Sequence, residues 1–223
     1  MNTHTEENYL KAIFNLSATK GEANVNELSR QLDIKMPTVN SMMKKLSDRG
    51  LIIYESYKPV RLTTKGQKEA AMIIRKHRLT EMYLVEKMGF GWDEVHDIAE
   101  QIEHVQSPEF FAKMDELLGY PKVDPHGSPI PDRNGKMEWT EYHKLNECKP
   151  GDTVIFKAVT HSSDDFLKFL NTRELLLETV IKVIFIESFD GTITVEYNKR
   201  KQELLSNIVC DKILVSHKKT RSV

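Results

Sequence analysis

Cysteine is scarce in this chain. Cys148 and Cys210 stand alone, with no Cys-x-x-Cys pair, so neither a disulfide framework nor a thiolate metal knuckle can organise the fold. A reducing, cytoplasmic location is the expectation. Long apolar runs are also missing: no stretch approaches the roughly 20 residues that span a bilayer, and no membrane partner is expected. The polar opening Met1–Glu7 does not read as a signal peptide. His-Glu-x-x-His is absent, as is any phosphate-cradling glycine loop, so no catalytic site is expected. What remains is a chain of 223 residues with 39% hydrophobic and 29% charged side chains, the balance of a globular protein of one to three domains.

The formal net charge of -1 conceals an asymmetry. Between Arg30 and Arg78 stand twelve basic and four acidic side chains, a local excess of eight positive charges. Such a block in a neutral protein suggests a polyanion partner at one end; a solvated helical surface would read the same. The pattern around it favours the polyanion. Tyr9, Leu10, Ile13, Phe14 and Leu16 follow helical spacing. A second helix starts near Asn26, and Asp33-Ile34-Lys35-Met36 makes a tight break. A third helix runs from Pro37 to about Arg49 and is ended by Gly50. Two short strands follow, residues 51–54 and 60–63, turned by Pro59. Helix, break, helix, strand, strand is the order of a winged helix-turn-helix, whose second helix lies in the major groove. Pro37, Thr38, Asn40, Ser41 and Lys44 then lie at the end that faces base edges, and Lys44, Lys45 and Arg49, with Lys58 and Arg61 on the wing, are placed for phosphates.

The middle third is helical. Thr64–Met88 is one long helix, Trp92–Val105 a second, and Ser107-Pro108-Glu109 opens a third that runs to Leu118. Proline and glycine then crowd residues 121–135 into a loop or linker. The second helix carries His96, Glu100, Glu103 and His104; positions 100, 103 and 104 share a face. The long helix carries His77 and Glu81 at i and i+4. Carboxylates and imidazoles converging on one stripe are unfavourable unless a cation lies between them, and a divalent metal is the economical answer. The last third changes character. Residues 152–159, 179–186 and 191–197 are β-branched strand runs, with a short helix at Asp164–Leu170, which together read as a small β-barrel.

Several segments together resemble the diphtheria toxin repressor family of iron- and manganese-dependent regulators: Glu7-Asn-Tyr-Leu-Lys-Ala-Ile-Phe, Met36-Pro-Thr-Val, Leu62-Thr-Thr-Lys-Gly, Arg75-Lys-His-Arg-Leu-Thr-Glu and Val95-His-Asp-Ile-Ala-Glu-Gln-Ile-Glu-His. Pro125-His-Gly-Ser-Pro-Ile-Pro and the strand-rich end resemble its longer members. The resemblance implies a mainly α protein with a small β module. Its parts are a winged helix-turn-helix over 1–70, a helical metal-binding and dimerisation domain over 71–140, and an SH3-like, FeoA-like β-barrel over 150–218. It implies two metal sites per subunit. Glu100, Glu103 and His104 match the primary one, to which position 8 adds a ligand; here that residue is Asn8 rather than methionine or aspartate. His77, Glu81 and His96 match the second, with Asp124, His126 and Asp164 or Asp165 as further ligands from later segments. Lys11 stands where some manganese-sensing members have glutamate, which argues against a closely bridged metal pair.

The expected function is metal-dependent repression of genes for metal-ion homeostasis. Mn(II) or Fe(II) is the co-repressor, because Glu100 hardens a site that iron-sensing members build with cysteine; Zn(II) is expected to bind in a test tube. The expected partners are a palindromic double-stranded operator and a second copy of the chain. Two other classes stay open: a winged-helix repressor answering to a small molecule or protein, with the carboxylates a solvated face, and a metalloenzyme using Glu100–His104.

Overall fold

The computed structural model describes residues 2–160 and 163–218, and the chain divides into two compact units. The first comprises Met1–Lys87, His96–Lys122 and Ile130–Glu138; the second comprises Met88–Val95, Val123–Pro129 and Trp139–Val223.

In the first unit, α1 (His4–Lys20) is opened by a capping box. Thr3 Oγ1 accepts from the Glu6 N–H, while the Glu6 carboxylate accepts from the Thr3 N–H. Helix α2 (Val25–Gln31) is capped by Asn24, and α3 (Met36–Asp48) follows a three-residue gap after Leu32 with Pro37 in its first turn. Tyr9, Leu10 and Ile13 of α1, Leu28 of α2, and Val39, Met43 and Leu46 of α3 close on one buried core. Burying each such side chain is worth roughly 1.5–3 kcal/mol.

The strands expected over 51–54 and 60–63 shrink to β1 (Ile52–Ile53) and β2 (Arg61–Leu62), paired antiparallel. Their flanks are committed elsewhere. The Leu51 N–H closes the end of α3 on the Leu46 carbonyl at 3.0 Å, and the Val60 N–H donates to Ala23 at 2.8 Å. Helix α4 (Thr64–Met88) then runs through the unit. A Cβ at Gly66 would lie 1.9 Å from the Leu51 carbonyl oxygen, so the close approach of α4 to the wing requires glycine there.

The expected helix Trp92–Val105 is shorter, α5 (His96–Ile102). Residues 92–95 form turns, in which the Gly91 N–H donates to the Glu94 carboxylate and the Glu94 N–H to the Gly91 carbonyl. Glu103 and His104 lie in the closing turn rather than inside the helix, although the Glu103 N–H still reaches Ala99 at 2.9 Å. Helix α6 (Pro108–Leu117) is capped by Ser107, and packs Phe111 and Met114 against Leu79 and Ile130. The proline-rich segment is ordered where it belongs to this unit: Arg75 is buried, donating to both the Pro131 carbonyl and the Asp115 carboxylate.

The second unit is an antiparallel sheet with short helices. Its strands are β3 (His143–Lys144), β4 (Thr153–Val159), β5 (Val180–Ile186), β6 (Ile193–Tyr197), β7 (Arg200–Leu205) and β8 (Ile213–His217), with α7 (Asp164–Thr172) and α8 (Asn207–Cys210). The order is β3-β8-β4-β5-β6-β7. Among the described residues β3 and β7 are edges that do not pair with each other, so the expected closed barrel is an open sheet. Val154, Phe156, Ile181, Val183, Val195 and Val215 form its buried side, joined by Phe166, Leu167 and Leu170 of α7. The sequence reading found β4, β5 and β6 but not β3, β8 or β7, the last with a polar Arg-Lys-Gln-Glu start at an edge.

Candidate metal centre and nucleic-acid interface

Helices α1, α4 and α5 bring their ionisable side chains to one place in the first unit. His77 is the hinge of the group. Its Nδ1 lies 2.6 Å from Glu103 Oε2 and its Nε2 lies 2.9 Å from Glu81 Oε1. His96 Nδ1 reaches the same Glu81 oxygen at 3.3 Å, and His96 Nε2 lies 3.8 Å from Glu100. Within the first unit, two clusters among the described residues have ligand atoms within 4.8 Å of one another, His77–Glu81–His96 and His77–Glu100–Glu103. They share one imidazole.

Burial makes this charge cluster costly without a cation. Burial lowers the His77 pKa, but hydrogen bonds to Glu103 and Glu81 outweigh it and raise the value to about 9. Burial pushes the Glu103 carboxyl up, yet His77 and Lys11 bring it below the ordinary range. Lys11 from α1 donates to Glu100 and to both oxygens of Glu103. The protein thus balances its carboxylates with a protonated histidine and a lysine.

His104 points elsewhere. Its Nδ1 lies 2.6 Å from Glu7 Oε2 and its Nε2 lies 3.7 Å from Glu103, with the His4 ring stacked at 4.5 Å. Glu100 and Glu103 therefore meet at Lys11, whereas His104 pairs with Glu7 while its other ring nitrogen stays beside Glu103. Asn8 Oδ1 is buried with no hydrogen-bond partner. An orphaned amide oxygen on α1, beside Glu7, is a hard donor of the kind Mn(II) and Fe(II) accept, and it joins carboxylates and imidazoles of matching character. The residues present fit a divalent ion.

In the second unit, Asp124 Oδ1 accepts from the N–H groups of His126 and Ser128, forming a tight turn. His126 Nε2 donates to the Trp92 carbonyl at 2.8 Å. Asp164 and Asp165 lie exposed in the first turn of α7 and belong to no cluster of three ligand types among the described residues.

The basic face is more engaged than its sequence suggests. Pro37, Thr38, Ser41 and Lys44 are exposed on α3, and Asn40 is half-buried. Arg49 and Lys45, expected on phosphates, reach the buried Glu6 carboxylate at 2.8 and 3.2 Å. Burial raises the Glu6 pKa, but the Thr3 N–H, Arg49 and Lys45 together lower it to about 2. On the wing Lys58 pairs with Glu55 at 2.6 Å and Arg61 with Glu22 at 2.9 Å. Exposed pairs of this kind are worth about 0–1 kcal/mol and are readily exchanged for phosphate. Sequence reading missed Glu6. Thr3-x-x-Glu6 has the spacing of a helix cap, a signal the sequence reading did not use, and the link of Glu6 to α3 is a tertiary contact that such a signal does not encode.

Residues 1–60 match the profile of the iron dependent repressor N-terminal DNA binding domain, and residues 63–132 that of the iron dependent repressor metal binding and dimerisation domain. The chain is 33% identical over 124 residues to the HTH-type transcriptional regulator MntR of Oceanobacillus iheyensis, covering 56% of this chain and 84% of that one. The chain belongs to the iron-dependent repressor family, that of the diphtheria toxin repressor. Residues 143–217 match a FeoA domain. Another member of this repressor family, the iron-dependent repressor IdeR of Mycobacterium leprae, is 34% identical over 127 residues; the match covers 57% of this chain and spans about half of that relative, 55% of its length. A solved manganese-dependent transcriptional repressor in complex with manganese superposes with a TM-score of 0.86 at 29% identity, covering 95% of this chain and 99% of that one.

Proposed function

We infer that this member of the iron-dependent repressor family is a metal-dependent transcriptional repressor of metal-ion homeostasis. Mn(II) or Fe(II) acts as its co-repressor, and a homodimer binds a palindromic double-stranded operator. The observation that carries the reading lies in α1. On consecutive residues, Glu6 holds the recognition helix α3 through Arg49 and Lys45, and Glu7 holds the closing turn of α5 through His104. Anything that draws the ligand cluster together therefore acts on the recognition helix through one rigid element.

The residues that would hold metal in the first unit are Glu100, Glu103 and His104 with Asn8, and His77, Glu81 and His96. A bound divalent cation supplies the positive charge on which these carboxylates converge. Glu103 orients His77, Glu7 orients His104, and α1 carries the resulting position to α3. Because the ion stabilises the DNA-competent arrangement, metal and DNA tighten each other's binding reciprocally.

The division into 1–70 for DNA, 71–140 for metal and dimer contacts and 150–218 as an accessory SH3-like module accords with this reading. Phe110 and Leu117, exposed one heptad apart on α6, supply an apolar stripe for a second copy. A cytoplasmic location follows from a chromosomal target, and no catalytic step is part of the proposal. No helix among the described residues is long and apolar enough to cross a membrane.

Footprinting on promoter DNA with and without Mn(II) tests it. Protection of a palindromic site that appears with Mn(II), and is lost in a Glu103→Ala, His104→Ala variant with unchanged unfolding of the DNA-binding half, supports the reading. Equal protection in both conditions overturns it, and favours a repressor answering to another signal.

A further inference from the structure

A concavity of about 530 Å³ lies between α3 and the wing, lined by Asn40, Lys44, Tyr54, Tyr57 and Lys58 among others. Within it the Tyr54 hydroxyl donates to Asn40 Oδ1 at 2.9 Å. Tyr54 directly follows β1, and its ring packs against the buried core of the first unit, so the hydroxyl is held by the fold rather than by solvent. Asn40 is half-buried, one turn before the exposed Lys44. The phenol therefore sets which end of the Asn40 amide faces the groove.

A free asparagine can read adenine with both ends of its amide, the oxygen accepting from N6 and the nitrogen donating to N7. The Tyr54 hydroxyl takes one lone pair of the Asn40 oxygen and holds that end of the amide on the tyrosine side, which leaves the NH2 end for DNA. We propose that Tyr54 is a positioning residue for operator specificity: it makes Asn40 a donor-only reader that selects an acceptor edge, guanine O6 and N7, over the bidentate adenine contact. This rests on the DNA-binding reading above. Thr38 and Ser41, exposed on the same helix, are not held in this way and carry no such restriction.

The test is selection from a pool of random duplexes by the full chain with Mn(II), using wild type, Tyr54→Phe, Asn40→Ala and the double variant. Wild type should favour guanine at one symmetric pair of positions. Tyr54→Phe should shift only that pair toward adenine, by about 5-fold or more given the usual worth of a bidentate contact. Asn40→Ala should erase preference there in either background. A merely structural tyrosine would lower affinity for all sequences alike and leave the preferences unchanged; that result, or an Asn40→Ala protein with wild-type preferences, overturns the proposal while leaving the repressor reading intact. A wild-type protein that enriches no sequence overturns the repressor reading itself, and this inference with it.

Discussion

Lys11 Nζ lies 2.8 Å from Oε1 and 3.0 Å from Oε2 of Glu103, straddling a carboxylate that is fully buried. It also donates to Glu100. The ammonium thus occupies the ground between two carboxylates that a divalent ion would neutralise, and metal has to compete with it. Lys11→Met should bind Mn(II) about tenfold more tightly, equivalent to roughly 1.4 kcal/mol. Without metal it should unfold more easily, by about 1–3 kcal/mol, because a buried carboxylate loses its donor. Competition with a metal-indicator dye and thermal unfolding read the two effects, and unchanged or weaker metal affinity would show that Lys11 is no competitor.

The acid limb of stability should carry the signature of Glu6. Its carboxyl titrates at about 2 rather than 4.5, so its contribution is fully present above pH 4.5 and is lost as pH falls toward 2. Glu6→Gln should be less stable near neutrality by about 2 kcal/mol, less than the whole shift implies because Lys45 is largely in solvent. Its stability should also fall less steeply over that acid window. Urea unfolding at a series of pH values measures both.

Gly66→Ala should destabilise the first unit, since the new methyl meets the Leu51 carbonyl oxygen, backbone that cannot swing away. A loss of about 1–3 kcal/mol is expected, the usual cost of forcing volume into a packed site. A Gly66→Ala variant as stable as wild type in chemical denaturation would mean that α4 and the wing can separate freely.

Lys44 is exposed on α3, lines the concavity beside the wing, and unlike Lys45 has no ion pair with Glu6. Lys44→Ala should weaken binding to all DNA sequences alike and reduce the salt slope by about 1, as the loss of one phosphate contact does. A change confined to one operator position would instead assign Lys44 to a base.

Local pattern carried far in this chain. Periodicity marked α1, α3 and α4, glycine and proline marked their ends, and β-branched runs marked β4, β5 and β6. Trp92–Val105 was over-extended because apolar spacing continues through residues whose backbone turns around Gly91. The wing strands were over-extended because Leu51 and Val60 give their N–H groups to other elements. Edge strand β7 was invisible because a polar sequence at a sheet margin has no alternation to show.

The types of side chain needed for a metal centre, and the helices that carry His77, Glu81, His96 and Glu100, were determined by sequence alone, because ligand chemistry and helical spacing are local properties. Tertiary structure decided the partners. Glu103 turns to His77 and Lys11 while its neighbour His104 turns to Glu7, and Glu6 rather than phosphate takes Arg49. Each of these is an encounter between helices distant in the chain, settled by how the buried faces of α1, α3, α4 and α5 pack, and no periodicity within one helix encodes which neighbour its charged side chains will meet.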